Sequence, residues 1–472
     1  MSSEAKRPKI EGDNVETGDK RLQNFIQWCH EVELTLSHKV YLSKEDTVAQ
    51  YGMMAKQDIE EGEVLFSIPR NVLLHQQTSK VNAVLEKSKE TLENTSGWVP
   101  LLLSLMYEYT APQSLWKPYL SLWPDFKALD HPMFWSKEER NKLLRGTGIC
   151  QAVETDLTNI QKEYTAIVLP FMKSHPDLWD PEKHTLDLYK SLVAFVMAYS
   201  FQEPLDEKEA DDGDDEEDDE EERPNPPMMV PMADMLNHVS NHNAKLVYSP
   251  DCLKMVAVRS IRAGEEVFNT YGQMANWQLL HMYGFTEPHQ ENMHDTADIK
   301  HSVLHQAAEQ LSQSEEDKDL LADKWGTLCE MGAVADEEGA FIFGKNGCLT
   351  DTELHTALKV LCMGKEELEV FQDEDWQEAE DDEEEVTRAL SNEGLPALAP
   401  TWRSLLHAAA GIALGAYAEG IEADQKLLED EDVMGRMNSR NRRALQVRYG
   451  QKRILQQIQH LTQSGASTST MP

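Results

Sequence analysis

Strand-like runs in this chain are confined to the part before about residue 295, and everything beyond it is patterned for helices. Val48 to Ala55 and Val64 to Ile68 are short apolar or mixed runs parted by Glu60-Glu-Gly62, which reads as two strands joined by a turn. Met228 to Pro231, Leu253 to Arg259 and Glu266 to Thr270 are three more, the last entered through an Ala263-Gly264 turn. Helical spacing fills the gap between the two groups. Trp98, Leu101, Leu102, Leu105 and Met106 share a face, with Pro100 tolerated in the first turn. Two further helices are expected over about 151–173 and 183–202, the second striped by Leu188, Leu192, Phe195, Val196 and Tyr199 and ended by Glu203-Pro204. A short amphipathic helix carrying Leu22, Phe25, Ile26 and Cys29 precedes the first strands, and Trp277 to Tyr283 is helical up to Gly284. Thr401 to Ala418 and Arg442 to Leu461 are the clearest helices of the C-terminal part. The fold class is therefore α+β: short strands interrupted by a helical insertion, then an all-helical C-terminal domain. A length of 472 residues suits two or three such units.

The formal charge of −40 is concentrated. Asp206 to Glu222 holds fourteen acidic residues in seventeen positions, and Asp373 to Glu385 holds ten in thirteen. Like charges packed that densely repel and stay solvated, so both blocks are expected to be disordered loops that attract a basic partner. Direct nucleic-acid binding is disfavoured, because phosphate contacts need Lys and Arg on one face. The six cysteines, at 29, 150, 252, 329, 348 and 362, contain no Cys-x-x-Cys pair. That suits reduced thiols in cytosol or nucleus and argues against a zinc cluster, and no metal is expected. No run reaches eighteen apolar residues, so no membrane span is expected, and the first twenty residues form a polar flexible arm without a secretory core. Lys6-Arg-Pro-Lys9 within that arm is a short basic motif of the nuclear-import type.

Two motifs carry chemistry. Residues 232–239 read Met-Ala-Asp-Met-Leu-Asn-His-Val, and residues 264–272 read Gly-Glu-Glu-Val-Phe-Asn-Thr-Tyr-Gly. The amide of Asn237 and the imidazole of His238 can grip a polar ligand, and Tyr271 places a phenol at the end of a strand beside a glycine turn. Taken singly, a tyrosine such as Tyr283 or a tryptophan such as Trp98 on a helix face reads as core, and Ser200 as an ordinary helix-end hydroxyl. Gly146-Thr-Gly148 lacks the third glycine and preceding strand of a dinucleotide site, and no phosphate-binding Gly-x-x-x-x-Gly-Lys loop is present.

In this order, the strand pair near 48–68, the long helical insertion, Asp234-Met-Leu-Asn-His238, Phe268-Asn-Thr-Tyr-Gly272 and Met282-Tyr-Gly-Phe285 resemble the SET-domain protein methyltransferases. The helical tail is similar to that of the Rubisco large-subunit methyltransferase subclass. The resemblance spans nearly the whole chain. It implies a SET domain over 21–290, with the insertion at about 85–227 carrying the acidic loop 206–222. A substrate-binding helical domain follows over 295–465, with the acidic loop 373–385, and a tail over 466–472. It further implies S-adenosylmethionine as methyl donor, held by Asn237, His238, Ala49, Gln50, Tyr51, Gly52, Tyr199, Gln202 and Tyr283. Tyr271 would be catalytic, and Trp98, Ser200 and Tyr271 would meet the substrate. Relatives often carry glycine where Gln50 stands; Gly52 keeps the more permissive backbone position of that turn.

The activity so implied is methylation of lysine, as monomethylation of nuclear non-histone proteins and of histones, by a monomer in the nucleus and cytoplasm. Its partners would be lysine-bearing transcription- or chromatin-associated proteins, with no membrane. Histidine methylation, known in a branch of the subclass, and a silent module that binds basic proteins are the alternatives. The attacking amine must be neutral, yet at a pKa near 10.4 only about one lysine in a thousand is neutral at pH 7. An apolar channel lowers that pKa, and a phenol can aim the lone pair.

Overall fold

Asn237 and His238, adjacent in sequence, fall in different compact units. In the computed structural model, which describes residues 19–92, 95–123, 129–205, 224–335, 339–373 and 382–463, one unit comprises Met1–Ala128, Lys162–Asn237 and His242–Asn269. The other comprises Leu129–Gln161, His238–Asn241 and Thr270–Pro472. The N-terminal arm up to residue 18 with its basic motif, the acidic block 206–222 and the tail 466–472 lie outside the described residues. The change of texture near 290–295 thus does not mark where the compact units divide.

The first unit holds two four-stranded sheets. Its strands are β1 (Thr35–Leu36), β2 (Val40–Ser43), β3 (Gly52–Ala55), β4 (Val64–Pro69), β5 (Ser200–Phe201), β6 (Met228–Met229), β7 (Asn237–His238, leaving the unit after Asn237), β8 (Ala244–Tyr248), β9 (Cys252–Ala257) and β10 (Glu266–Asn269). One sheet runs β1-β4-β9-β8 and the other β2-β3-β10-β7. The two runs expected to be a strand pair therefore separate: β3 pairs with β2 and β10, β4 with β1 and β9. The reason lies in side-chain distribution. All four residues of β3 are buried, so it lies inside its sheet, between the neighbouring β2 and the distant β10, and not at an edge beside β4. Residues 48–51, expected as the start of that strand, instead form an irregular, largely exposed turn.

The insertion is helical, as its periodicity requires. Helix Val99–Thr110 buries Leu101, Leu102, Leu105 and Met106, and Trp98 stands at its N-cap, half-buried, outside that core stripe. It packs on helix Leu186–Tyr199, whose Thr185 side chain accepts the Leu188 N–H as an N-cap. Aromatic rings fill the contact, with Trp123 stacked on Phe195 at 4.5 Å.

The second unit is mainly helical but not all-helical. It contains a sheet of β11 (Thr296–Lys300), β12 (Ala340–Gly344) and β13 (Gly347–Cys348). Period-two burial explains it: Ala297 and Ile299 face the core opposite Phe343 and Phe341, in a texture too short to stand out among helices. Helices Pro400–Gly415 and Ser439–Leu461 pack over it. The described ends of the second acidic block are helical or cap a helix. Helix Lys365–Asp373 ends on its first residue, and Asp382 caps helix Glu383–Ala389, whose first turn is Glu383, Glu384 and Glu385. Acidic groups suit that position because the helix N-terminus carries partial positive charge. Residues 374–381 between them lie outside the described residues.

Candidate active site

In the first unit the predicted turn is organised around a buried carboxylate. Asn237 donates both amide protons, to the Tyr51 carbonyl at 2.8 Å and to Glu266 Oε1 at 2.6 Å. Both partners are acceptors, which settles the orientation of the amide and leaves its oxygen to accept from a donor. The other Glu266 oxygen takes the Val48 N–H at 2.8 Å. Gly52 sits in this knot, where a Cβ would overlap Glu266 Oε1 and lie 2.7 Å from Thr47 Cγ2 and 3.0 Å from Asn237 Nδ2. Its φ is not in the left-handed region, so glycine is required there for close approach and not for backbone freedom. Asn243 braces the strand beneath: its amide donates to the Glu266 carbonyl at 2.9 Å and accepts the Phe268 N–H at 2.7 Å.

Tyr51 contributes its backbone to this knot and its ring elsewhere. The phenol donates to Asp19 at 2.8 Å, and Lys44 lies on the same oxygen at 2.6 Å and over the ring at 4.4 Å. Burial pushes the Asp19 carboxyl up, but the hydrogen bonds from Lys44 and Tyr51 outweigh it and hold the pKa at about 2. Ala49 and Gln50 are exposed. Tyr199 closes its helix with its ring 5.4 Å from Phe195, and its phenol is pushed up to about 12 by burial and then by Asp234. Asp234, itself raised to about 7 by burial, accepts a hydrogen bond from Tyr119. Ser200 begins the short β5–β6 ladder, half-buried. Gln202 is exposed, and its amide goes to the Asn225 carbonyl at 3.0 Å; its contacts are with Asn225 and Tyr248 and not with the Asn237 knot.

In the second unit the predicted residues are assembled by rings. His238 Nδ1 accepts the Tyr271 N–H at 3.0 Å, so a neutral imidazole carries its proton on Nε2. The two rings stack at 5.0 Å, and Tyr271 in turn stacks on Tyr283 at 4.7 Å. Phe285 borders all three, at 6.2 Å from His238, 6.2 Å from Tyr271 and 6.1 Å from Tyr283. Burial pushes the Tyr283 phenol to about 12, so it stays protonated at neutral pH. Tyr283 ends a widened π turn, Leu279–Tyr283, and Gly284 stops it in the left-handed region at φ +74°.

Of the residues singled out in the sequence, the structure groups Asn237 with Tyr51 and Gly52 in one unit and His238 with Tyr271 and Tyr283 in the other; Glu266, Asn243, Phe285 and Asp234, which touch these groups or Tyr199, were not singled out as site residues. Glu266 gave no alternation to read, since it and Val267 are both buried. The preceding Glu265 masks it by making the pair look like a solvated turn.

Residues 50–272 match the SET domain family and residues 315–455 the Rubisco LSMT substrate-binding family. A crystal structure of the SET domain of LSMT bound to lysine and AdoHcy matches with a TM-score of 0.65 at 22% identity, over 94% of this chain and 90% of that one. Rubisco LSMT bound to AdoMet matches at 0.64 and 22%, over 94% and 92%. At that identity the likeness defines a fold class, a SET domain followed by an LSMT-type helical region. The sequence relatives are nearer. N-lysine methyltransferase setd6 of Salmo salar is 66% identical over 463 residues, covering 98% of this chain and 100% of its own length. That of Danio rerio is 61% identical over 469 residues, covering 98% and 99%. Human N-lysine methyltransferase SETD6 is 46% identical over 487 residues, covering 98% and 100%. The chain belongs to the SETD6 family of N-lysine methyltransferases.

Proposed function

We propose that this chain transfers a methyl group from S-adenosylmethionine to the side-chain amine of lysines in protein substrates, with Tyr271 as its catalytic phenol. The observation that carries the assignment of Tyr271 is its double anchorage, by the backbone N–H on His238 and by the ring between His238 and Tyr283. The residues fit a cofactor of this kind: Gly52 lets Glu266 and Asn237 close on the turn, and the Asn237 oxygen is an acceptor not used in the two bonds its amide donates. S-adenosylmethionine, when bound, supplies an electrophilic methyl, which the amine lone pair takes while the carbon–sulfur electrons stay on sulfur.

The chain's own work is orientation and desolvation. The aromatic wall of Tyr271, Tyr283 and Phe285 offers an incoming ammonium little hydration, which favours the neutral amine. A phenol held on two sides pays little to reorganise when it orients that amine. The imidazole of His238, acceptor at Nδ1 and donor at Nε2, keeps the Tyr271 backbone in place. No proton has to be taken by Tyr283, whose burial keeps it neutral.

The finer reading is monomethylation of nuclear proteins, transcription- or chromatin-associated and including histones, by a monomer working in nucleus and cytoplasm. Support for a basic, lysine-rich partner comes from the net charge of −40, and support for nuclear entry from the Lys6–Lys9 motif. The test is incubation of the purified chain with methyl-labelled S-adenosylmethionine and a nuclear extract, followed by mass spectrometry of labelled peptides. Monomethyl-lysine on nuclear proteins is expected. Label only on histidine rings, or no transfer with intact cofactor binding, would overturn the assignment.

A further inference from the structure

Within the second unit, the peptide that precedes the turn at Pro132–Phe134 is anchored far more heavily than a loop requires. Asp130 lies in the left-handed region at φ +46°, unusual for a residue with a side chain. Its carboxylate takes Arg440 Nε at 2.6 Å, Arg443 Nη1 at 2.5 Å and the Ser439 hydroxyl at 3.2 Å, all from the first turns of helix Ser439–Leu461. Arg440 also reaches Glu139 at 2.5 Å and covers the Trp135 ring at 5.2 Å. Trp135 returns its indole N–H to the Asp130 carbonyl at 3.0 Å, so both ends of the residue are held.

What this clamp presses on is the turn that carries Tyr283. A Cβ on Gly284 would lie 2.6 Å from the Leu129 carbonyl oxygen and 3.4 Å from the Asp130 carbonyl group. Backbone meets backbone there, with no flexible side chain to absorb a shift. A second contact fixes the same turn from the side: the His281 ring lies 6.2 Å from His131, and its Nε2 is 2.7 Å from Asp156. The stack of Tyr283 on Tyr271 begins one residue from that contact.

We propose that Asp130, held by Arg440 and Arg443, is a positioning residue for methyl transfer: through the Leu129–Asp130 peptide and Gly284 it sets the register of Tyr283 on Tyr271. The C-terminal helix then acts on the chemical step, and not only on docking of substrate. This rests on the reading of Tyr271 as the catalytic phenol.

The test compares Asp130→Asn with wild type, using methyl-labelled S-adenosylmethionine and core histones as acceptor. Asparagine keeps the shape and tolerates the left-handed backbone, while the charge-assisted bonds are lost. Turnover at saturation is expected to fall about tenfold, with KM for both substrates and the calorimetric affinity for S-adenosylmethionine changed less than twofold. The near-ultraviolet tyrosine dichroism should change as well. Arg440→Lys, which keeps the charge but cannot fork to Asp130 and Glu139, should show the same split and guards against a folding defect in the first variant. Unchanged turnover in both folded variants would overturn the inference, as would losses confined to KM. Tyr271→Phe run alongside separates the two readings: if it stays active the Tyr271 assignment fails, whereas if it alone is inactive only the Asp130 proposal does.

Discussion

The Asn237 knot and the Tyr271 stack solve the problem of holding a side chain by different physics. Around Asn237 every contact is directional: an amide with both donors spent, a carboxylate bridging it to a backbone N–H, and a glycine that lets them approach. Around Tyr271 one backbone hydrogen bond sets the height of the residue and three rings set its tilt. The first arrangement is intolerant of a misplaced atom and suits recognition of a polar ligand. The second is held by ring contact and tolerates loss of a hydroxyl, which suits a phenol whose task is to aim a nucleophile. Binding and turnover should therefore be separable by mutation.

Tyr271→Phe gives the largest and most selective effect. The rings and the backbone bond to His238 survive, so cofactor affinity and melting temperature should stay near wild type while turnover drops about 10²-fold, the scale of one lost transition-state hydrogen bond. Equal loss of affinity and turnover would mean that the hydroxyl holds the fold. Gly52→Ala comes next. Its new methyl overlaps Glu266, so the knot must open at a cost of about 2 kcal/mol. Calorimetry should show S-adenosylmethionine bound more than tenfold more weakly, with a lower melting temperature. Asn237→Ala should weaken cofactor binding about tenfold, the value of one or two hydrogen bonds to a polar ligand. Turnover at saturating cofactor should move less, and unchanged affinity would remove Asn237 from the pocket.

The smallest effect concerns pH. Asp295, in the second unit, accepts the Asn276 N–H at 3.1 Å, and burial raises its carboxyl to about 6. Above pH 6 it is ionised in the fold at a cost. As the pH falls through 6 the folded chain takes up a proton that the unfolded chain binds only near 3.8, so stability rises toward acid. Asp295→Asn should melt higher than wild type at pH 7.5 by about 1 kcal/mol of stability, and the gap should shrink by about half at pH 5 and close only below the unfolded value of 3.8. A constant gap would mean that the charge plays no part. The Asp19 carboxyl of the first unit, held at about 2, should show no such dependence above pH 5.

Much of this was legible beforehand where periodicity is strong. Helices Val99–Thr110, Leu186–Tyr199, Pro400–Gly415 and Ser439–Leu461 follow their apolar stripes, because burying a stripe is a local property of the pattern. Strand β8 was missed because only Ala244 of its five residues is buried, leaving no alternation to read. The separation of β3 from β4 was equally hidden, since partners are chosen by long-range packing. Among the candidate site residues, Asn237, His238 and Tyr271 stood out in the sequence by residue type and spacing. Glu266 did not, because a glutamate in sequence looks solvated until its acceptors are seen buried against Val48 and Asn237.

The sequence by itself determined which chemical groups this protein owns and the order in which the chain presents them, because motif spacing and apolar period are written residue by residue. Only the tertiary structure decided that Gly52 is demanded by a carboxylate, that Tyr271 is held between two rings, and that Asp130 is gripped by a helix some three hundred residues away. Such contacts depend on where distant backbones come to rest, and that is set by the packing of the whole unit.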